Sequence, residues 1–270
     1  MDKSSKLRVG IYGGGFKPFT TGHYSKLLYA CGDNGVCKKN DVVILFYGMG
    51  SREKGSSYVF TTEMAHSIFD VMKAAIEREL GGEVEIHVIK AYPQPPLAYV
   101  FAAASDFAGV SHPPTFSFSD IGIDPGDIET LTIYGDTEGL ADYKRHLGTP
   151  REEKYFGDTY QTGRLQFDPG YDESDAAILS PDERVVQKFM KRHPDLSQEE
   201  AEDKVRVRGS NVRAAIMSRD PNVISRYLPG FLNDDERNQI VDILLTGVPE
   251  ENPQMSESLI RYMIRGFLAN

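Results

Sequence analysis

A chain of 270 residues, 40% apolar and 26% charged, is long enough for one large α/β domain, or for a core domain with an appended helical segment, and has the make-up of an ordinary globular protein. Its net charge of −10, from 30 Lys and Arg against 40 Asp and Glu, argues against a general nucleic-acid binder, which needs a basic face for phosphate backbones. No apolar run approaches the length of a membrane span, and Cys31 and Cys37 have no second Cys/His pair to complete a zinc site.

Both cysteines read as free thiols of a reducing compartment. Met1 to Arg8 is short and polar and has no hydrophobic signal core. The chain therefore reads as cytoplasmic, with neither a nucleic acid nor a membrane as partner; a homo-oligomer is compatible with it.

Leu7–Tyr12 is a short apolar run ending in Gly13-Gly14-Gly15, a buried strand entering a glycine turn. Tyr24–Ala30 has helical character. Asp41–Tyr47 is a continuous apolar run of the kind found in central parallel strands. Thr61–Leu80 is the clearest helix of the first half, with Ile68, Val71, Met72 and Ala75 on one face. Thr61 or Thr62 caps its start and Gly81-Gly82 ends it. Val84–Ile89 is a third strand, Pro95–Ala104 a short helix with Pro in its first turn, and Thr130–Tyr134 a fourth strand closed by Gly135-Asp136.

This alternation over residues 7–147 predicts an α/β fold, a Rossmann-like parallel sheet with helices on both faces. Ligands of such sheets sit at the carboxyl ends of the strands. The loops at Gly13–Gly15, Gly48–Ser51 and Gly135-Asp136 should therefore gather on one rim.

Residues 149–180 break the rhythm and read as an insertion or loop, with only Arg164–Phe167 strand-like. Pro181–Arg192 and Ser197–Asp203 read as helices, Val205–Val207 as a brief β-like run, and Asn211–Ser218 as a new helix. Asp234–Leu245 and Ser256–Leu268 are amphipathic, with Ile240, Ile243, Leu244 and Leu259, Met263, Phe267 on their apolar faces. The expected organisation is an α/β domain over 1–230 followed by a C-terminal helical extension over 231–270.

The strongest chemical signal is Gly13-Gly14-Gly15-Phe16-Lys17-Pro18-Phe19-Thr20-Thr21-Gly22-His23. It follows a strand and opens a helix, so backbone N–H groups and the positive end of the helix dipole face whatever binds there, and phosphate is favoured. The glycines permit close approach of backbone to ligand. His23 sits where its ring can donate to a phosphate oxygen, with Thr20 adding a hydroxyl and Lys17 a mobile positive charge. The Walker pattern is missing, because no Gly-Lys-Ser/Thr follows, and so is the dinucleotide Gly-x-Gly-x-x-Gly frame.

On these residues the sequence resembles the nucleotidyltransferase superfamily of the HxGH/TxGH type, which includes nicotinamide-mononucleotide and phosphopantetheine adenylyltransferases, FAD synthetases and cytidylyltransferases. Gly14-Gly15-Phe16-Lys17-Pro18 matches its Gly-x-Phe-x-Pro, and Thr20-Thr21-Gly22-His23 its (His/Thr)-x-Gly-His. Downstream, Arg208-Gly209-Ser210-Asn211-Val212-Arg213 is similar to the segment that opens a late helix in that family, with Arg208 standing where the family has Ser. Tyr134-Gly135-Asp136 is a weaker echo. The resemblance spans roughly residues 7–230.

It implies that an acceptor phosphate attacks the α-phosphorus of an NTP, preferably ATP, and that pyrophosphate leaves. His23, Lys17 and Arg213 would be the catalytic residues, and Gly13, Gly14, Gly15, Phe16, Thr20, Gly22, Asp136, Gly209 and Ser210 would bind substrate. Ser210 would cap its helix and bond the β- or γ-phosphate. Mg²⁺ would bridge phosphate oxygens while keeping several waters, so no protein cage for a metal is expected. The partners are then an NTP and a phosphorylated small molecule such as nicotinamide mononucleotide.

CTP is the alternative donor. A nucleotide-binding regulator without turnover is an alternative of another class, and a nucleotide domain of the aminoacyl-tRNA synthetase or ATP sulfurylase kind a third. Arg52 and Lys54 either hold the acceptor phosphate or belong to a solvated loop, and Arg206 and Arg208 either lie along the triphosphate or alternate on a strand. His66, His87, His112, His146 and His193 have no ligand-like spacing.

Overall fold

The computed structural model describes residues 6–16, 18–31, 40–50, 59–81, 84–111, 115–135, 137–168 and 209–248. Five strands, β1 (Leu7–Gly14), β2 (Val42–Gly48), β3 (Glu85–Ala91), β4 (Ile128–Tyr134) and β5 (Leu165–Asp168), form one all-parallel sheet in the order β3-β2-β1-β4-β5. The fold is α/β and Rossmann-like, as the alternation of elements predicts. The chain steps from β1 outward to β3, then returns to lay β4 against the other side of β1. That reversal makes β1/β4 the topological switch point, where such sheets open a crevice for ligands.

Side chains alternate across the sheet with the two-residue period of a strand. Val9, Ile11, Val42, Ile44, Phe46, Leu131 and Ile133 enter one core; Tyr12, Val43, Leu45 and Tyr47 enter the other. The first core is covered by α3 (Pro96–Phe107), α4 (Thr137–Lys144) and α5 (Pro150–Phe156). The second is covered by α1 (Thr21–Cys31), α2 (Thr62–Leu80) and three later helices, α6 (Gly209–Met217), α7 (Pro221–Ser225) and α8 (Asp234–Thr246). β2 is buried at every position, which is why its sequence is an unbroken apolar run.

Local chemistry sets the helix ends. The Thr61 hydroxyl accepts from the Met64 amide at 3.2 Å, an N-cap worth about 1 kcal/mol; Thr61, rather than Thr62, is therefore the cap. Gly81 closes α2 by donating to the Glu77 carbonyl. Pro95 and Pro96 open α3.

Where the sequence leads one to expect an insertion from residue 149, the structure has α5 and β5. Phe156 is fully buried, and Leu165 to Asp168 pair with Leu131 to Tyr134. The strand-like stretch Arg164–Phe167 is thus an edge strand of the sheet itself. Residues 169–180, Pro181–Arg192, Ser197–Asp203, Val205–Val207 and Ser256–Leu268 lie outside the described residues.

α8, expected within a C-terminal extension, shares a core with β2 and α2: Ile240, Val241 and Leu244 are buried in it. Asn233 and Glu236 form a capping box at its start. The Glu236 carboxylate also takes both Arg78 guanidinium nitrogens from α2, and Arg78 holds it below its usual range. Arg237 donates to the Ser225, Pro229 and Leu232 carbonyls and so ties α8 to the turn before it. No helix among the described residues is long and apolar enough to cross a membrane.

Candidate functional site

The loop after β1 is shaped by what lies beneath it. A Cβ on Gly13 would stand 2.9 Å from Val100 Cγ2 of α3, and one on Gly14 2.3 Å from the Phe16 ring. Any side chain at either position would collide with the protein itself. A Cβ on Gly15 would meet nothing within 4 Å, and Gly15 is exposed. Gly13 and Gly14 therefore let the turn sit low on the sheet, and Gly15 is the one whose backbone faces open space.

Phe16 is 1% exposed and packs against Tyr12 at 5.5 Å, Phe19 at 4.9 Å, His23 at 4.9 Å and Tyr47 at 5.0 Å. Its ring is the plug that fixes the loop. Phe16 thus enters the site through the shape it gives the backbone, not through contact of its side chain with a ligand.

α1 begins at Thr21, three residues before the sequence pattern of its apolar face, because of its cap. Thr20 holds the N-cap position, its carbonyl accepting from the Tyr24 amide at 3.0 Å. The Thr20 amide donates to His23 Nδ1 at 3.0 Å, and the Thr20 hydroxyl lies 2.9 Å from the same nitrogen. This is a capping-box arrangement in which a histidine takes the place of the usual Glu or Gln at the third helical position. A backbone amide can only donate, so Nδ1 is the acceptor and the proton of the neutral ring sits on Nε2. The helix's own orphan N–H groups lie in the same first turn.

The described starts of the three expected loops lie at the carboxyl ends of adjacent strands, while Ser51 and Asp136 lie outside the described residues. Gly14 is in register with Tyr47 of β2, and Tyr12 with Tyr134 of β4. A Cβ on Gly48 would lie 3.0 Å from the Gly14 carbonyl. Gly135 follows β4 and donates its amide to the Asp168 carbonyl of β5 at 3.3 Å. Gly13, Gly14, Gly15, Phe16, Thr20, Gly22 and His23 thus form one unit at the switch point, with Gly135 on the adjoining strand.

Val212, Ala215 and Ile216 place α6 on the same core cluster as Phe16, Phe19 and Leu27. Arg213 is half-buried on that helix. Gly209 and Ser210 form the first turn of α6. Lys17, Asp136, Arg52, Lys54, Arg206 and Arg208 lie outside the described residues, as do His112 and His193.

Two further residues matter that their sequence context does not announce. The Tyr47 hydroxyl, at the end of β2, is wholly buried and has no hydrogen-bond partner among the described residues. Leaving such a group unmet costs on the order of 1–3 kcal/mol. Burial raises its pKa, and the Phe19 main chain acts in the opposite sense.

Tyr134, at the end of the adjoining strand β4, is the opposite case. Its hydroxyl accepts from Asn40 Nδ2 at 2.9 Å, and burial pushes its pKa up to about 12. In the sequence each is a tyrosine followed by a glycine at the end of a strand.

Among the described residues no group of three or more His, Cys, Asp or Glu is placed to hold a metal ion. In comparisons with known proteins, no family model and no curated protein matches the chain. The likeness to the nucleotidyltransferases therefore rests on the motif residues.

Proposed function

We infer that the chain is a nucleotidyltransferase, carrying a nucleoside monophosphate from an NTP, preferably ATP, to a phosphate-bearing small molecule. The observation that supports this most is the Thr20–His23 cap at the β1/β4 switch point. It presents a helix N-terminus and an Nε2–H donor beside a glycine turn whose third residue is open. In this reading an oxygen of the acceptor phosphate bonds to the α-phosphorus, the bond from that phosphorus to the β-phosphate oxygen breaks, and pyrophosphate departs with the electron pair.

Such a transfer asks for positioning and charge neutralisation more than for a protein nucleophile. His23 Nε2–H and the first-turn amides of α1 would stabilise phosphate oxygens as negative charge builds. Lys17, Arg213 and the α6 start at Gly209-Ser210 are the further candidates for the triphosphate, and Asp136 for the substrate after β4. A Mg²⁺ ion would arrive with the triphosphate and neutralise charge between its oxygens; an ion held by phosphate and water needs no carboxylate cluster from the protein.

The test is pyrophosphate release with Mg²⁺, crossing ATP, CTP, GTP and UTP against nicotinamide mononucleotide, phosphopantetheine, FMN, and sugar and choline phosphates. Acceptor-dependent release that His23→Ala abolishes would support the transferase and name donor and acceptor. Preference for CTP would make it a cytidylyltransferase. Tight NTP binding with no release for any pair would favour a nucleotide-binding regulator.

A further inference from the structure

A helix start is held by more than its cap: an apolar contact at the fourth helical residue fixes the angle at which the chain enters the helix. In α1 that residue is Tyr24, whose amide also closes the cap by donating to the Thr20 carbonyl at 3.0 Å. Its ring lies 4.5 Å from the ring of Phe231, tilted by 55°. Phe231 comes from the turn between α7 and α8, far along the chain.

That turn is itself fastened by two arginines. From α2, Arg78 donates to the Phe231 carbonyl at 3.4 Å while its two guanidinium nitrogens hold the Glu236 carboxylate. From α8, Arg237 reaches the Ser225, Pro229 and Leu232 carbonyls at 2.9, 3.1 and 3.2 Å. Hydrogen bonds from charged donors are the stronger kind, and together they make the turn a firm support for the ring that meets Tyr24. α7 and α8 also pack on α6, the helix of Gly209, Ser210 and Arg213. The Tyr24–Phe231 pair therefore joins the two segments that carry the candidate phosphate-binding residues.

We propose that Phe231 is a positioning residue for the anion-binding turn: through Tyr24 it sets the direction of the first turn of α1, and with it His23. The inference rests on the anion-cradle part of the nucleotidyltransferase reading and not on the transfer chemistry.

The experiment compares the full chain with Phe231→Ala, Tyr24→Ala, the double variant and Ile240→Val, measuring Tm and the Kd for inorganic pyrophosphate and for Mg-ATP by calorimetry. Phe231→Ala should weaken Kd by roughly three- to tenfold, the scale of one lost aromatic contact. Because the effect passes through Tyr24, the double variant should bind no more weakly than Tyr24→Ala alone. Ile240 is fully buried in α8, so Ile240→Val should lower Tm and leave Kd as it was. Phe231→Leu, which keeps most of the apolar volume, carries the comparison if Phe231→Ala does not fold.

A lowered Tm with unchanged Kd in the Phe231 variant would make the residue purely structural and overturn the proposal. An equal loss of affinity in Ile240→Val, or additive losses in the double variant, would overturn it as well. If the unsubstituted chain binds neither pyrophosphate nor Mg-ATP, the anion cradle falls and the proposal with it. The expected pattern of binding with no transfer to any acceptor would uphold the proposal and remove the transfer chemistry alone.

Discussion

The two faces of the sheet are packed to different ends. On the face of α3, α4 and α5 the space is filled with rings. Phe101 touches Tyr143, His146, Tyr155 and Phe156 at 4.8–5.9 Å, and Phe46 meets Tyr99 and Phe116 at 5.5 and 5.0 Å. Its buried polar groups are paired: the Ser105 hydroxyl donates to the Tyr155 carbonyl at 3.0 Å, and Glu152 accepts from the Gly148 amide and from Gln161. On the face of α1 the rings converge on a histidine and on a hydroxyl without a partner among the described residues. One face is filled with rings and supplies stability. The other departs from local rules at the rim, where a ligand would complete it.

Substitutions on the two faces should therefore separate stability from ligand handling. The largest expected effect is that of Phe156→Ala, which empties a fully buried site in the ring-filled core; it should lose about 3–5 kcal/mol by denaturant unfolding. The Mg-ATP affinity of the folded fraction should stay as it was. A matching loss of affinity would show that the two faces are not separable.

His23→Ala should do the reverse. It removes the Nε2–H donor and should lower turnover by roughly 10²–10³-fold. Losing the acceptor of the Thr20 amide costs only about 0.5–2 kcal/mol of stability, as for other caps. Steady-state pyrophosphate release and Tm, measured on the same sample, separate these effects.

Gly13→Ala belongs to both faces, because its new methyl group would press on Val100 at 2.9 Å. About 1–3 kcal/mol of overpacking is expected, together with weaker anion binding as the loop lifts. Val100→Ala in the same chain should restore part of both.

The smallest effect is a pH dependence from His146. Burial lowers its pKa from the usual 6.5, with Arg145 and Arg151 acting in the same direction and Asp142 opposing them. The folded state thus resists protonation that the unfolded chain accepts. Stability is unaffected above the ordinary imidazole value and falls as the pH drops from there toward the lowered one. A Tm series from pH 7.5 to 5 should show this decline, and His146→Phe should flatten it. Equal slopes in both proteins would place the dependence elsewhere.

Much of this was legible in the residues, for physical reasons. β2 declares itself because a strand buried on both faces is apolar throughout, and α2 because its apolar stripe and its Thr61 and Gly81 ends agree. The glycine turn and the Thr-x-Gly-His start stand out because only a close backbone approach needs such a run.

α5 is hidden because all four positions after the proline of Pro150–Phe156 are charged, Arg151, Glu152, Glu153 and Lys154, and burial of Glu152 depends on partners at Gly148 and Gln161. The first turn of α1 shows in its motif and not in periodicity, because Thr20 to His23 is polar and its stability lies in a side-chain bond. Tyr47 is hidden because a tyrosine at a strand end reads as one more apolar residue until its hydroxyl is placed.

Pro96, at the start of α3, lies close against the ends of two strands. Its ring is 2.7 Å from where a Cβ on Gly48 would stand and 3.5 Å from one on Gly13. A proline ring has little freedom to yield, so a side chain added at Gly48 would have to lift the strand end away from α3.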